Sequence, residues 1–194
     1  MSVAVEEKAR LGRTTIGFWV YLMTDCLLFA SLFATFAVLR GATADGPSGK
    51  DIFELPMVLA ETIILLASSF TCGLALLGIK SGNLRQIVIA LGATYVLGVA
   101  FLTIELSEFA KLLSEGHGPQ QSAFLSAFFT LVGTHGLHIT VGLIWLVTLA
   151  AVLVRRGLTA KVSRQLTLFG LFWHFLDLVW IFIFTVVYLM GVSV

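Results

Sequence analysis

Charge is what this sequence has least of. Only 12% of its 194 residues are Asp, Glu, Lys or Arg, and the formal net charge is +1. A chain this close to neutral gives no electrostatic reason to expect nucleic acid as a partner. Cysteine is scarce as well: Cys26 and Cys72 both fall inside apolar stretches and form no CxxC pair. They read as small buried hydrophobes, with neither a disulfide nor a thiol redox motif implied. The sequence also lacks a phosphate-binding glycine loop and a nucleophile elbow. Its three prolines, Pro47, Pro56 and Pro119, fall in Gly-containing connections or at a helix start.

What is there is apolar. Hydrophobic residues make up 58% of the chain and the mean hydropathy is +1.00, far from soluble averages. The class that follows is an all-α integral membrane protein, one unit over residues 1–194. Five stretches, about 14–39, 55–79, 86–104, 124–154 and 166–190, predict five transmembrane helices in one bundle. The last alone, at about 1.5 Å per residue, makes a helix on the order of 37 Å, enough to cross a bilayer with some tilt. Residues 1–13 are polar and read as a cytoplasmic tail, frayed or lying on the membrane surface. Ala42-Thr43-Ala44 after the first stretch resembles a signal-peptide cleavage site. That apolar region is about 25 residues, against roughly 7–15 in a signal peptide, so a retained helix is expected. Asp25 in its middle argues the same way. The short turn Lys80–Arg85 predicts that helices two and three are antiparallel neighbours.

Basic residues set the expected orientation. Lys8, Arg10 and Arg13, Lys80 and Arg85, and Arg155, Arg156, Lys161 and Arg164 fall on one side; Arg40, Lys50 and Lys111 fall on the other. The positive-inside rule then predicts a cytoplasmic N-terminus and a periplasmic C-terminus.

The polar residues within the spans carry the mechanistic information. His174 and Asp177 are three apart, on one face of the last helix. A carboxylate near mid-bilayer costs roughly 2.5–3.5 kcal/mol and should face protein, water or a partner. The pair reads either as a structural lock against neighbouring helices or as a group that moves protons. Asp25, Glu61 and Asp177 sit inside the spans while every Lys and Arg lies outside them. Each acid must therefore be protonated, paired with histidine, hydrogen-bonded or turned to another subunit. Burial favours the neutral form, so raised pKa values are expected for Asp25 and Glu61. Glu105 and Glu108 are expected at the outer end of the third helix.

Glu61, Ser68, Cys72 and Ala75 form one narrow helical stripe, suited to close packing within the bundle or against another chain. Gly133, His135, Gly136, His138, Thr140 and Gly142 cluster on the fourth helix and let another backbone approach. His135, His138 and His174 raise the question of a metal or haem. No in-span Cys or carboxylate completes a ligand set, and His135 and His138 share one helix. No catalytic, cofactor or metal site is expected in this chain.

Three blocks give the chain a family likeness. ETIILLASSFT (61–71), FFTLVGTHGLHITVGLIW (128–145) and FWHFLDLVWIFIFTVVYL (172–189) resemble subunit III of the haem–copper terminal oxidases. GFWVYLMTDCLLFASLFATFAVL (17–39) resembles that family's first shared helix. Five spans in place of the commoner seven, together with GKDIFELP (49–56), bring it nearer the bacterial cytochrome bo-type ubiquinol oxidase branch. Asp25 stands where cytochrome c oxidase relatives usually have glutamate, so the resemblance alone does not assign it that glutamate's reactivity or suggested role in proton uptake, and a structural and a proton-related role both stay open for Asp25, Glu61, His135 and His138. Glu105-x-x-Glu108-Phe109 stands where they more often read Gln-x-x-Glu-Tyr.

The resemblance implies an accessory subunit without redox centres, in a bacterial inner-membrane complex that oxidises ubiquinol, reduces oxygen to water and pumps protons. Haem and copper would belong to subunit I, its direct partner, with subunits II and IV alongside and phospholipid bound. The role implied is support of assembly and sustained activity. The alternatives are a subunit III of a cytochrome c oxidase, a stand-alone proton-coupled carrier and a membrane b-type cytochrome. Five helices without evident inverted repeats argue against the carrier.

Overall fold

Local capping chemistry, more than hydropathy, decides where the helices begin and end. The computed structural model describes residues 2–44 and 46–193, with side chains described for 14–44, 46–50 and 52–191. Five long helices carry the chain: α1 Ser2–Leu39, α3 Leu55–Ser81, α4 Leu84–Ser114, α5 Ala123–Arg156 and α6 Ala160–Ile183. A single turn, α2 Gly49–Ile52, sits in the first connection. After α6 the chain widens into a π-helical segment, Phe184–Leu189, and closes with α7 Met190–Ser193. No strand occurs among the described residues. The five spans are long and apolar enough to cross a membrane, with α6 and the π segment forming the last.

Asn83, Ser122 and Thr159 cap α4, α5 and α6, accepting hydrogen bonds from the backbone N–H of Gln86, Leu125 and Val162 at 3.2, 3.1 and 3.3 Å. Gly82, at φ 68°, closes α3 in the left-handed conformation. The Thr159 cap starts the last helix at Ala160, six residues before the apolar run at 166.

The larger difference is in α4, which continues to Ser114 and does not stop near 104. Glu105 and Glu108 are therefore inside the helix, 1% and 8% exposed, and not at its end. Charges ended the apolar run in the sequence, but at i and i+3 these two share a face that turns inward. The tail expected over 1–13 is helical in its backbone from Ser2; its side chains lie outside the described residues.

α3 and α4 form the tightest pair, α5 and α6 pack together, α6 also lies on α3, and α1 rests chiefly on α5. Glycines permit the closest approaches. A Cβ at Gly98 would come within 3.1 Å of the Trp173 ring, and one at Gly142 within 2.8 Å, so the indole fills the space between α4 and α5. Trp173, Trp180, Tyr188, Phe101 and Phe128 are fully buried. Leu27, Val38 and Phe70, by contrast, are 73%, 81% and 69% exposed, as befits side chains that face lipid or a neighbouring protein.

Candidate functional site

Among the described residues, three groups of polar side chains lie within the bundle. The first is the seam between α3 and α6. Trp173 donates its indole N–H to Ser68 Oγ and Trp180 to Thr62 Oγ1, both at 3.0 Å. Rising numbers on α6 meet falling numbers on α3, so the two helices are antiparallel. Glu61, Ser68, Cys72 and Ala75 are 0–1% exposed; their stripe faces the bundle interior. One residue on, Ser69 Oγ lies 2.7 Å from His174 Nδ1, so a hydroxyl of α3 meets the histidine of the α6 His–Asp pair, with Asp177 nearby.

The second group is an interior set of acids. Glu61 is fully buried, Glu105 nearly so, and none of their four carboxyl oxygens has a hydrogen-bond partner among the described residues. The Glu105 carboxyl rests against the bare backbone of Gly136, whose Cβ position is 2.7 Å from Oε1. Tyr188, on the π segment, donates to Glu108 Oε2 at 3.3 Å. Glu61, Glu105 and Glu108 lie within electrostatic reach of one another. The nearby cation, Lys111, is exposed and paired with Glu54 at 2.5 Å. His135, fully buried, packs its ring 5.2 Å from Trp180 and edge-on to Phe101 at 5.9 Å.

The third group joins α1 to α5. His138 Nε2 stands 3.6 Å from Asp25 Oδ2. His138 Nδ1 is 2.7 Å from the Thr134 carbonyl; a carbonyl only accepts, so Nδ1 carries the hydrogen and Nε2 is the nitrogen presented to Asp25. Tyr21, one turn earlier, stands within electrostatic reach of the same carboxyl.

The three in-span histidines have different partners: His135 is enclosed by rings, His138 faces Asp25 and His174 meets Ser69, while Phe29 packs against both His135 and His138. Among the described residues, no three His, Cys, Asp or Glu side chains are grouped to hold a metal ion. Sequence reasoning missed Thr62, Ser69, Trp173, Trp180 and Tyr188 as partners. Ser69 adjoins a residue of the small-polar stripe, which was the available signal. Tyr188 gave none, because a π segment has no hydropathy signature.

The family model for cytochrome c oxidase subunit III matches residues 6–192. Subunit 3 of the cytochrome bo(3) ubiquinol oxidase of Pseudomonas aeruginosa is 60% identical over 180 residues, 93% of this chain and 86% of the relative. Its counterpart in Pseudomonas putida is 53% identical over 179 residues, covering 92% and 86%. A cytochrome c oxidase subunit 3 of Bacillus sp. (strain PS3) is 45% identical over 176 residues, covering 91% and 85%. The same five apolar spans and the same buried polar residues are thus set in a sequence matched almost end to end, and the chain belongs to the cytochrome c oxidase subunit III family.

Proposed function

We propose that this chain is the accessory, non-redox subunit of a respiratory ubiquinol oxidase in a bacterial inner membrane. The observation that carries the reading is the 60% identity to a ubiquinol oxidase subunit 3 across nearly the whole chain. The complex would oxidise ubiquinol, reduce oxygen to water and pump protons, with haem and copper in subunit I, this chain's direct partner, and subunits II and IV beside it. Residues 1–194 act as one unit, N-terminus in the cytoplasm and C-terminus in the periplasm, as the basic residues favour.

In this reading Asp25, Glu61, Glu105, Glu108, His135, His138, His174 and Asp177 fix helix packing and support the catalytic subunit; none is a catalytic residue. Phospholipid binds at the surface, where an apolar groove of about 270 Å³ lined by Val88, Leu91, Tyr95 and Leu146 is wide enough for an acyl chain. A second reading, subunit III of a cytochrome c oxidase, is favoured by the 45% identity to such a subunit.

The test is purification in mild detergent through a tag on this chain. Haem absorption bands and a co-purifying large subunit are expected. A colourless chain recovered alone from intact membranes would contradict the reading and return the stand-alone carrier.

A further inference from the structure

Ser69, His174 and Asp177 do not close on themselves. They line a shallow, open groove of about 450 Å³ between α3 and α6, walled by Leu66, Phe70 and Leu77. Ser69 lies near the middle of the Leu55–Ser81 span and His174 near the middle of Ala160–Leu189, so the polar end of the groove is at mid-bilayer. His174 is half-buried and its recorded hydrogen bond uses Nδ1, which leaves Nε2 for a group beyond the chain. Asp177 is 8% exposed and its Oδ1 has no hydrogen-bond partner among the described residues.

The Ser69 hydroxyl has one hydrogen to give. Either it donates to His174 Nδ1 and the imidazole carries its proton on Nε2, or the Nδ1–H donates to Ser69 and Nε2 is an acceptor. In both arrangements a hydrogen-bonding nitrogen is presented to the groove, beside the unpartnered Asp177 Oδ1. Lipid tails offer neither donor nor acceptor, and polar groups left unpaired in hydrocarbon are costly.

We infer that this α3/α6 groove is where a transmembrane helix of the haem-bearing catalytic subunit docks, placing a hydroxyl or carboxamide, each able to donate or accept, against His174 Nε2. The inference rests on the oxidase-subunit reading. It adds which face meets the partner and what chemistry that partner supplies. The exposed side chains Phe70 and Leu77, at 69% and 55%, are the apolar rim that such a helix would cover.

The experiment places a photo-crosslinking benzophenone side chain at Phe70 in the intact complex in native membranes, with Ile144, an outward-facing residue of α5, 62% exposed, as reference. A protein adduct with the haem-bearing subunit from position 70 and none from 144 is expected. His174→Phe should lower the haem recovered per tagged chain about tenfold, the loss expected for one buried hydrogen bond of about 1.4 kcal/mol. His174→Gln, which keeps both a donor and an acceptor, should retain most of it. Adducts at 70 with lipid only, or with a second copy of this chain, would overturn the inference while wild-type haem recovery left the oxidase reading intact. Absence of haem from the wild-type preparation would instead sink the oxidase reading itself.

Discussion

Trp173 donates to Ser68 Oγ at 3.0 Å, and Ser68 in turn donates to the Thr94 carbonyl at 3.3 Å, so one line of hydrogen bonds crosses α6, α3 and α4. With no water to replace a lost partner, that line should show energetic coupling. Ser68→Ala leaves a buried indole N–H unpaired, at a cost of about 1–3 kcal/mol. Trp173→Phe removes the same bond together with ring volume. In a double-mutant cycle read by unfolding in detergent, the expected coupling is about 0.6 kcal/mol and at most about 1.7 kcal/mol. Strict additivity would show that the bond contributes nothing.

Glycine positions on α5 and α4 should respond in opposite directions to alanine. An alanine Cβ normally favours a helix by about 1 kcal/mol over glycine. At Gly142 that Cβ meets the Trp173 ring at 2.8 Å and Phe172 at 3.1 Å, whereas at Gly92 nothing lies within 4 Å. Gly142→Ala is expected to destabilise by about 1–3 kcal/mol through overpacking, and Gly92→Ala to be neutral or stabilising. Melting temperatures of the two variants, measured side by side, decide it; equal shifts would remove the packing argument.

The interior acids predict a chemical preference at position 61. Glu61 is fully buried and shares its surroundings with Glu105 and Glu108. Gln keeps its shape and hydrogen-bonding capacity without charge, whereas Leu keeps neither polar atom. Glu61→Gln should assemble near the wild-type level and Glu61→Leu several-fold less, read as complex recovered per tagged chain. Equal loss in both would mean that the carboxyl group itself is required.

Asp25 and His138 supply a matched test on the α1–α5 contact. Removing one partner of a buried polar pair strands the other, while replacing both with apolar groups does not. Asp25→Leu and His138→Phe should each lower stability more than half as much as the two together. A double variant as impaired as the sum of the singles would show that the 3.6 Å approach carries no interaction.

Five spans were legible from hydropathy because lipid demands long apolar runs whatever they pack against. Most ends were legible to within two residues, but the start of α6 was not, since Thr159 caps it at Ala160 through a local hydrogen bond that hydropathy does not report. Asp25, Glu61, His138, His174 and Asp177 stood out because polar groups in such runs are costly. Their partners depended on how helices meet: Ser69 reaching His174, or Glu105 lying over Gly136, requires distances between elements far apart in the chain. The α4 overrun had the same cause. Glu105 and Glu108 read as a helix end until the bundle supplied an interior for them.

The measurement that bears most directly on the account is oxygen uptake by the complex purified through this chain, with ubiquinol and with reduced cytochrome c offered in turn. The account predicts rapid uptake with ubiquinol and none with cytochrome c. Uptake with cytochrome c and not with ubiquinol would contradict it and make this chain a subunit III of a cytochrome c oxidase.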